Sequence, residues 1–155
     1  MRRLETFAIV ALCANFDLAA GQSIDEGRLL AKLGGCNDCH SPGYAESAGK
    51  TPESEWLTGG RYGLRGPWGT TYPANLRLLL AQMSEDEWVE YARTFETRPP
   101  MPWYDLREAP ESMLRGFHRF VLSLGDPGKP VPDFVPPGEE PSTPYIVFAP
   151  PTMPK

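Results

Sequence analysis

Ten of the 18 prolines in this 155-residue chain lie after Asp126. Proline fixes φ and carries no N–H, so that stretch is barred from regular helix and from central strands and favours extended, polyproline-like backbone. The core must therefore come from the residues before it, and a hydrophobic content of 41% is enough for one domain of ordinary size. Residues 126–155 read as a proline-rich tail, not as a second domain. Phe134 and the run Tyr145, Ile146, Val147, Phe148 give that tail apolar surface that a solvated linker lacks. It is expected to lie along the domain as an irregular strap, with Tyr145 and Phe148 partly buried and no long helix beyond Gly125.

The opposite end reads as an export signal over residues 1–20. Arg2 and Arg3 form a positive start, Phe7 to Ala14 an apolar run, and Leu18, Ala19 and Ala20 a cleavage site. The run is too short to span a bilayer. Cys13 has a weak likeness to a lipoprotein acceptor, which makes a lipid anchor the alternative fate of this segment. The expectation is an exported, periplasmic protein whose folded domain occupies residues 22–125. A net charge of −5 and a pI near 5.1 lack the basic stripe of a nucleic-acid binder and suit a partner with a basic docking face.

Three helices are legible within that domain. Ser23 and Glu26 form a capping box opening a helix through Leu30 and Leu33, which Gly34 and Gly35 end. Ser84 and Glu87 form a second box ahead of Trp88, Tyr91, Ala92 and Phe95, with Pro99 and Pro100 as the stop. Pro110 suits the first turn of a third helix, where Leu114, Phe117, Phe120, Val121 and Leu124 make one apolar face ending at Gly125. Leu76 to Ala81 reads as a short helical turn. From Ser41 to Asn75 there is no helical or strand period, only Gly, Pro and Ser with Trp56, Tyr62, Trp68 and Tyr72 between them. That stretch is expected to be a long ordered loop, of a kind that wraps something functional. No repeat and no strand is visible, so the expected fold class is all-α: a small helical domain with long irregular loops and an extended C-terminal tail.

The first helix delivers the chain to Cys36-Asn37-Asp38-Cys39-His40, a C-x-x-C-H segment. This is the spacing of covalent haem c attachment: two thiols reach the two vinyl groups of one porphyrin edge, and the next histidine stands under the iron. A thioredoxin-like redox pair would need a strand before the first cysteine. Zinc would need further ligands, for which only His118 and Cys13 remain. A structural disulfide would leave His40 without a role. For a second axial ligand, Met101 stands in Arg98-Pro-Pro-Met-Pro-Trp103, where proline on both sides stiffens the main chain. His118, Met83, Met113 or an open position are the alternatives.

With these pieces in place, the chain resembles the class I cytochromes c, especially bacterial periplasmic monohaem cytochromes that serve dehydrogenases and respiratory chains. The likeness covers about residues 22 to 125. It rests on Leu33-Gly-Gly leading into C-N-D-C-H, on Gly66-Pro-Trp-Gly-Thr-Thr-Tyr-Pro-Ala-Asn-Leu76, on P-P-M-P-W, and on the final helix with Phe117 to Leu124. It implies a cytochrome c-like domain around one covalent haem c, with iron bound by His40 and Met101. It also implies that the Pro67 carbonyl accepts a hydrogen bond from His40, and that the first and last helices cross where Gly27 admits Phe120. Trp68, Tyr72, Asn75 and Arg77 become candidates for the haem wall and its propionates, because their polar hydrogens can donate to carboxylates. The long Ser41 to Gly66 loop, Gly116 inside the last helix and the tail depart from the family pattern.

The implied function is periplasmic one-electron transport, with no bond chemistry of its own. Its partners would be redox proteins, whether a dehydrogenase, an oxidase or another cytochrome, and any membrane association would come through such a complex. The alternative, a peroxidase-type haem enzyme or a haem-based redox or gas sensor, needs an open sixth position.

Overall fold

A computed structural model of the chain describes residues 24–154. The export segment 1–20, with Cys13, and the Ser23 end of the first capping box lie outside the described residues.

The first helix, α1, occupies residues 24–33 and stops where Gly35 takes a left-handed φ of 69°. That turn leads straight into α2 (Cys36–His40). A single 3-10 turn, Glu53–Glu55, interrupts the following loop. A hairpin then forms from β1 (Gly63–Gly66) and β2 (Gly69–Thr71), and α3 (Leu76–Leu80) follows.

Helix α4 (Glu85–Thr94) has the full capping box expected of it: Ser84 Oγ accepts from the Glu87 N–H, and Glu87 accepts from the Ser84 N–H at 2.7 Å. Three acidic residues in its first turn face the positive end of the helix dipole. Helix α5 (Trp103–Arg107) fits between the proline stop and Pro110, and α6 (Glu111–Ser123) ends as Gly125 turns left-handed at φ 82°.

The all-α expectation is corrected. The described chain is mixed α/β, with six α-helices and a three-stranded sheet of order β2-β1-β3, where β3 is Tyr145–Val147 of the tail. Strands of three or four residues, two of them glycine-bounded, are too short for alternation to show in the sequence. The stretch from Ser41 to Asn75 is thus not all loop. Its Gly66 and Gly69 pair across a two-residue turn at Pro67 and Trp68, with β1 and β2 antiparallel.

The tail, too, is more regular than a strap. Four consecutive residues without proline, Tyr145 to Phe148, leave enough N–H groups to pair in parallel with β1. On the far edge of the hairpin, Val135 and Thr70 exchange two main-chain bonds of 2.8 and 3.0 Å. The tail therefore grips the hairpin from both sides. Tyr145 is half-buried as expected, but Phe148 is 41% exposed.

The core lies between α6, α4 and α3. The stripe Leu114, Phe117, Phe120 and Val121 is buried, together with Trp56, Leu57, Leu80, Trp88 and Ala92. Trp88 stacks on Phe117 and donates Nε1–H to the Leu114 carbonyl at 2.9 Å, so its one polar group is satisfied inside the core. At the α1–α6 crossing, Gly27 lies against the backbone of Gly116 and Phe117, not against the Phe120 side chain. The absent side chain of Gly27 is what lets the two helices touch there.

Candidate functional site

Helix α2 is five residues long, yet it places Cys36, Cys39 and His40 on the wall of one cavity of about 400 Å³. That volume is in the range of small-molecule and cofactor sites. The walls are mostly apolar, including Leu30, Leu64, Leu79, Phe95, Leu106 and Phe117, and Asp38, Arg98 and Asp105 form an exposed polar rim.

His40 is buried, and its Nδ1–H donates to the Ala74 carbonyl at 2.7 Å. Burial depresses its basicity below the usual histidine range, with the Ala74 carbonyl opposing. The ring is therefore neutral, its tautomer is fixed by that bond, and Nε2 is the nitrogen left for the cavity. Asn75 explains why the carbonyl is there. Its side chain caps α3 by accepting from the Leu78 N–H at 3.1 Å, which holds the residues before the helix extended.

Both cysteines are free thiols. Burial first, then the nearby Asp38 charge, pushes Cys36 up to about 12 and raises Cys39 as well, so neither is poised as a thiolate nucleophile. No strand enters α2, which removes the structural setting of a thioredoxin-like pair. Among the described residues no group of three or more His, Cys, Asp and Glu could hold a metal ion, and His118 stands away from Cys36 and Cys39, on the Met83 carbonyl.

Met101 lines the same cavity, between Pro100 and Pro102, which line it too. The competing ligands Met83, Met113 and His118 are not on its wall. His118 is buried and donates Nε2–H to the Met83 carbonyl at 2.9 Å.

The remaining sequence-selected residues divide. Tyr72 lines the cavity and shares a 2.6 Å hydrogen bond with Thr143 of the tail. Pro67 is at the exposed tip of the hairpin, so the acceptor implied for His40 is corrected to Ala74. Trp68 folds back over Gly66 and faces Phe148 at 5.9 Å, away from the cavity wall. Asn75 and Arg77 also stand off that wall. Asn75 Nδ2 donates to the carbonyls of Pro127 and Lys129. Arg77, buried, donates to five main-chain carbonyls: Trp56, Leu124, Asp126, Glu53 and Ser54. Both tie the domain together and leave no donor aimed at a propionate.

Among the cavity residues not singled out from the sequence, Ala74 and Arg98 bear most on the site. Ala74 acts through its main chain, and only the N-cap signal of Asn75 before Leu76-Arg-Leu-Leu-Leu80 points to it. Arg98 directly precedes the Pro-Pro-Met segment, the one cue to its place on the rim.

The donor set suits a haem c: two thiols and a neutral imidazole nitrogen on one short helix, a thioether on the same wall, and apolar surroundings. Comparison of the chain with protein families, with curated proteins and with solved structures gives no match.

Proposed function

We propose that this protein holds one haem c in the cavity and passes electrons singly between redox protein partners in the periplasm. One observation carries the reading. His40 is anchored at Nδ1 to Ala74, leaving Nε2 for an apolar cavity whose wall also bears Cys36, Cys39 and Met101. Cys36 and Cys39 would hold the group through thioethers, with His40 Nε2 and Met101 Sδ as axial ligands. When bound, the group supplies a one-electron iron couple whose potential follows from ligation, hydrogen bonding and burial. The Ala74 carbonyl orients the imidazole and raises its donor strength. Leu30, Leu79 and Phe117 would give the group apolar surroundings.

Expression in a host that attaches c-type haem tests the reading directly. The chain should carry haem through a denaturing gel, and Cys36→Ala combined with Cys39→Ala should lose it. A mature protein with stoichiometric zinc and no haem would overturn the proposal.

A further inference from the structure

The tail does not line the cavity, yet it reaches the segment that carries Met101. Phe134 is half-buried with its ring against Gly69, where an added Cβ would stand 3.0 Å from two ring atoms. Its neighbour Val135 is fixed to Thr70 by the two main-chain bonds described above. The ring is thus held by the hairpin, and the Arg98 guanidinium lies over the ring at 3.8 Å from the centroid. No carboxylate pairs with Arg98 among the described residues, so the aromatic face is what holds this cation. Between Arg98 and Met101 stand only Pro99 and Pro100, whose fixed φ angles transmit the position of one residue to the other. A second tie runs parallel: Thr71 Oγ1 donates to the Pro99 carbonyl at 3.2 Å.

We propose that Phe134 of the proline-rich tail is a positioning residue for Met101, acting through its stacking on Arg98 and the rigid Pro99-Pro100 link. The inference rests on the haem reading for its purpose, since a ligand methionine must be held at a fixed place. The mechanical relay from ring to thioether is a property of the chain itself.

The test uses Phe134→Ala, Phe134→Tyr and Arg98→Gln in the full chain, with two readouts. In haem-loaded protein, carbon monoxide binding to the ferrous form reports how often Met101 leaves the iron. In haem-free protein, oxidation of Met101 by dilute peroxide, followed by mass spectrometry, reports its exposure, with Met153, 81% exposed, as the internal reference. Loss of a cation–π contact at an exposed site corresponds to a rise of about two- to fivefold in the open population. Phe134→Ala and Arg98→Gln should both show that rise in carbon monoxide binding and in Met101 oxidation, while Met153 stays constant and Phe134→Tyr behaves as the parent. Arg98→Gln keeps Phe134 itself, its contact with Gly69 and the Val135–Thr70 pairing, and an unchanged unfolding midpoint in that variant separates its effect from unfolding. Unchanged Met101 oxidation in both variants overturns the relay. A response in Phe134→Ala but not in Arg98→Gln overturns it too, because the ring would then act only through Gly69. If no haem attaches to any variant, the functional reading fails and the peroxide measurement still decides this one.

Discussion

Gly27 of α1 rests directly on the Gly116 carbonyl of α6, with no side chain between the two helices. A Cβ on Gly27 would fall inside the van der Waals radius of that carbonyl and of the Phe117 nitrogen, and these are backbone atoms of a core helix that cannot step aside. Gly27→Ala is therefore expected to destabilise the fold by about 2–3 kcal/mol, as overpacking does, in spite of alanine's better helix propensity. Denaturant unfolding checks it, and an unchanged or raised midpoint would falsify the close contact.

Arg77 offers a second test of stability that should leave the proposed haem site untouched. Arg77→Met keeps the aliphatic bulk but removes a side-chain donor from five carbonyls, including those of Leu124 and Asp126 where the tail begins. The Glu53 carbonyl keeps the Trp56 N–H, and with water reaching some of the others the loss should be about 3 kcal/mol. The absorption spectrum of the folded haem-loaded fraction should not change, because Arg77 is off the cavity wall. A shifted redox potential with unaltered stability would instead restore it as a propionate contact.

Met101→Ala should abolish the near-infrared sulfur-to-iron charge-transfer band of the oxidised protein and admit carbon monoxide to the reduced one. His118→Ala should do neither, since that ring is spent on the Met83 carbonyl. Retention of the band in Met101→Ala would assign the sulfur to another methionine.

The contrast between Met101 and Arg77 shows what the sequence carried and what it did not. The place of Met101 on the cavity wall was legible because proline on both sides marks a rigid presenting segment, and α4 and α6 were legible because capping boxes and apolar stripes are side-chain patterns. Ala74 was not, because a main-chain acceptor leaves no trace in residue type. Arg77 was misassigned for a related reason: a guanidinium has five N–H donors that suit backbone carbonyls as well as carboxylates, and type alone does not choose between them. The strands escaped notice because pairing of β1 with β3 joins Leu64 to Ile146, a contact far apart in sequence between segments of three or four residues.

Acid should weaken the α4–α6 junction in a defined direction. Glu85 is held below the usual carboxylate range, chiefly by its hydrogen bonds from Arg119 and then by Arg115, against some desolvation. Its folded pKa lies below its unfolded value. The ion pairs thus contribute fully above the ordinary carboxylate pKa, and their contribution is lost as pH falls through the depressed one. Glu85→Gln should flatten the fall of melting temperature between neutral pH and about pH 3. Glu87 and Glu140 are depressed as well and will keep part of the slope. An identical slope in parent and variant would show the Arg115 and Arg119 contacts to be immaterial.

The tail allows a test of register at single-residue resolution. The Phe148 N–H donates to the Arg65 carbonyl at 2.7 Å, and the Gly63 N–H donates to the Pro144 carbonyl at 3.0 Å. Main-chain groups alternate along a strand, so the N–H of Ile146 faces β1 like that of Phe148, whereas those of Tyr145 and Val147 face outward from this edge strand. Proline is tolerated at an edge only where the N–H was unpaired. Val147→Pro should therefore keep the tail docked, and Phe148→Pro should release it, although the two side chains are both exposed and adjacent. Release removes the partner of Arg65 in its 2.5 Å ion pair with Glu140 and the Thr143 partner of Tyr72. Limited proteolysis reads the outcome: the parent and Val147→Pro should resist cleavage around Tyr145, and Phe148→Pro should be trimmed there rapidly. Equal resistance in both proline variants would mean that side-chain packing, not the parallel ladder, holds the tail. The reverse order of sensitivity would shift the pairing by one residue and turn Tyr145 away from the Arg65 guanidinium, which now lies 5.0 Å from its ring centroid.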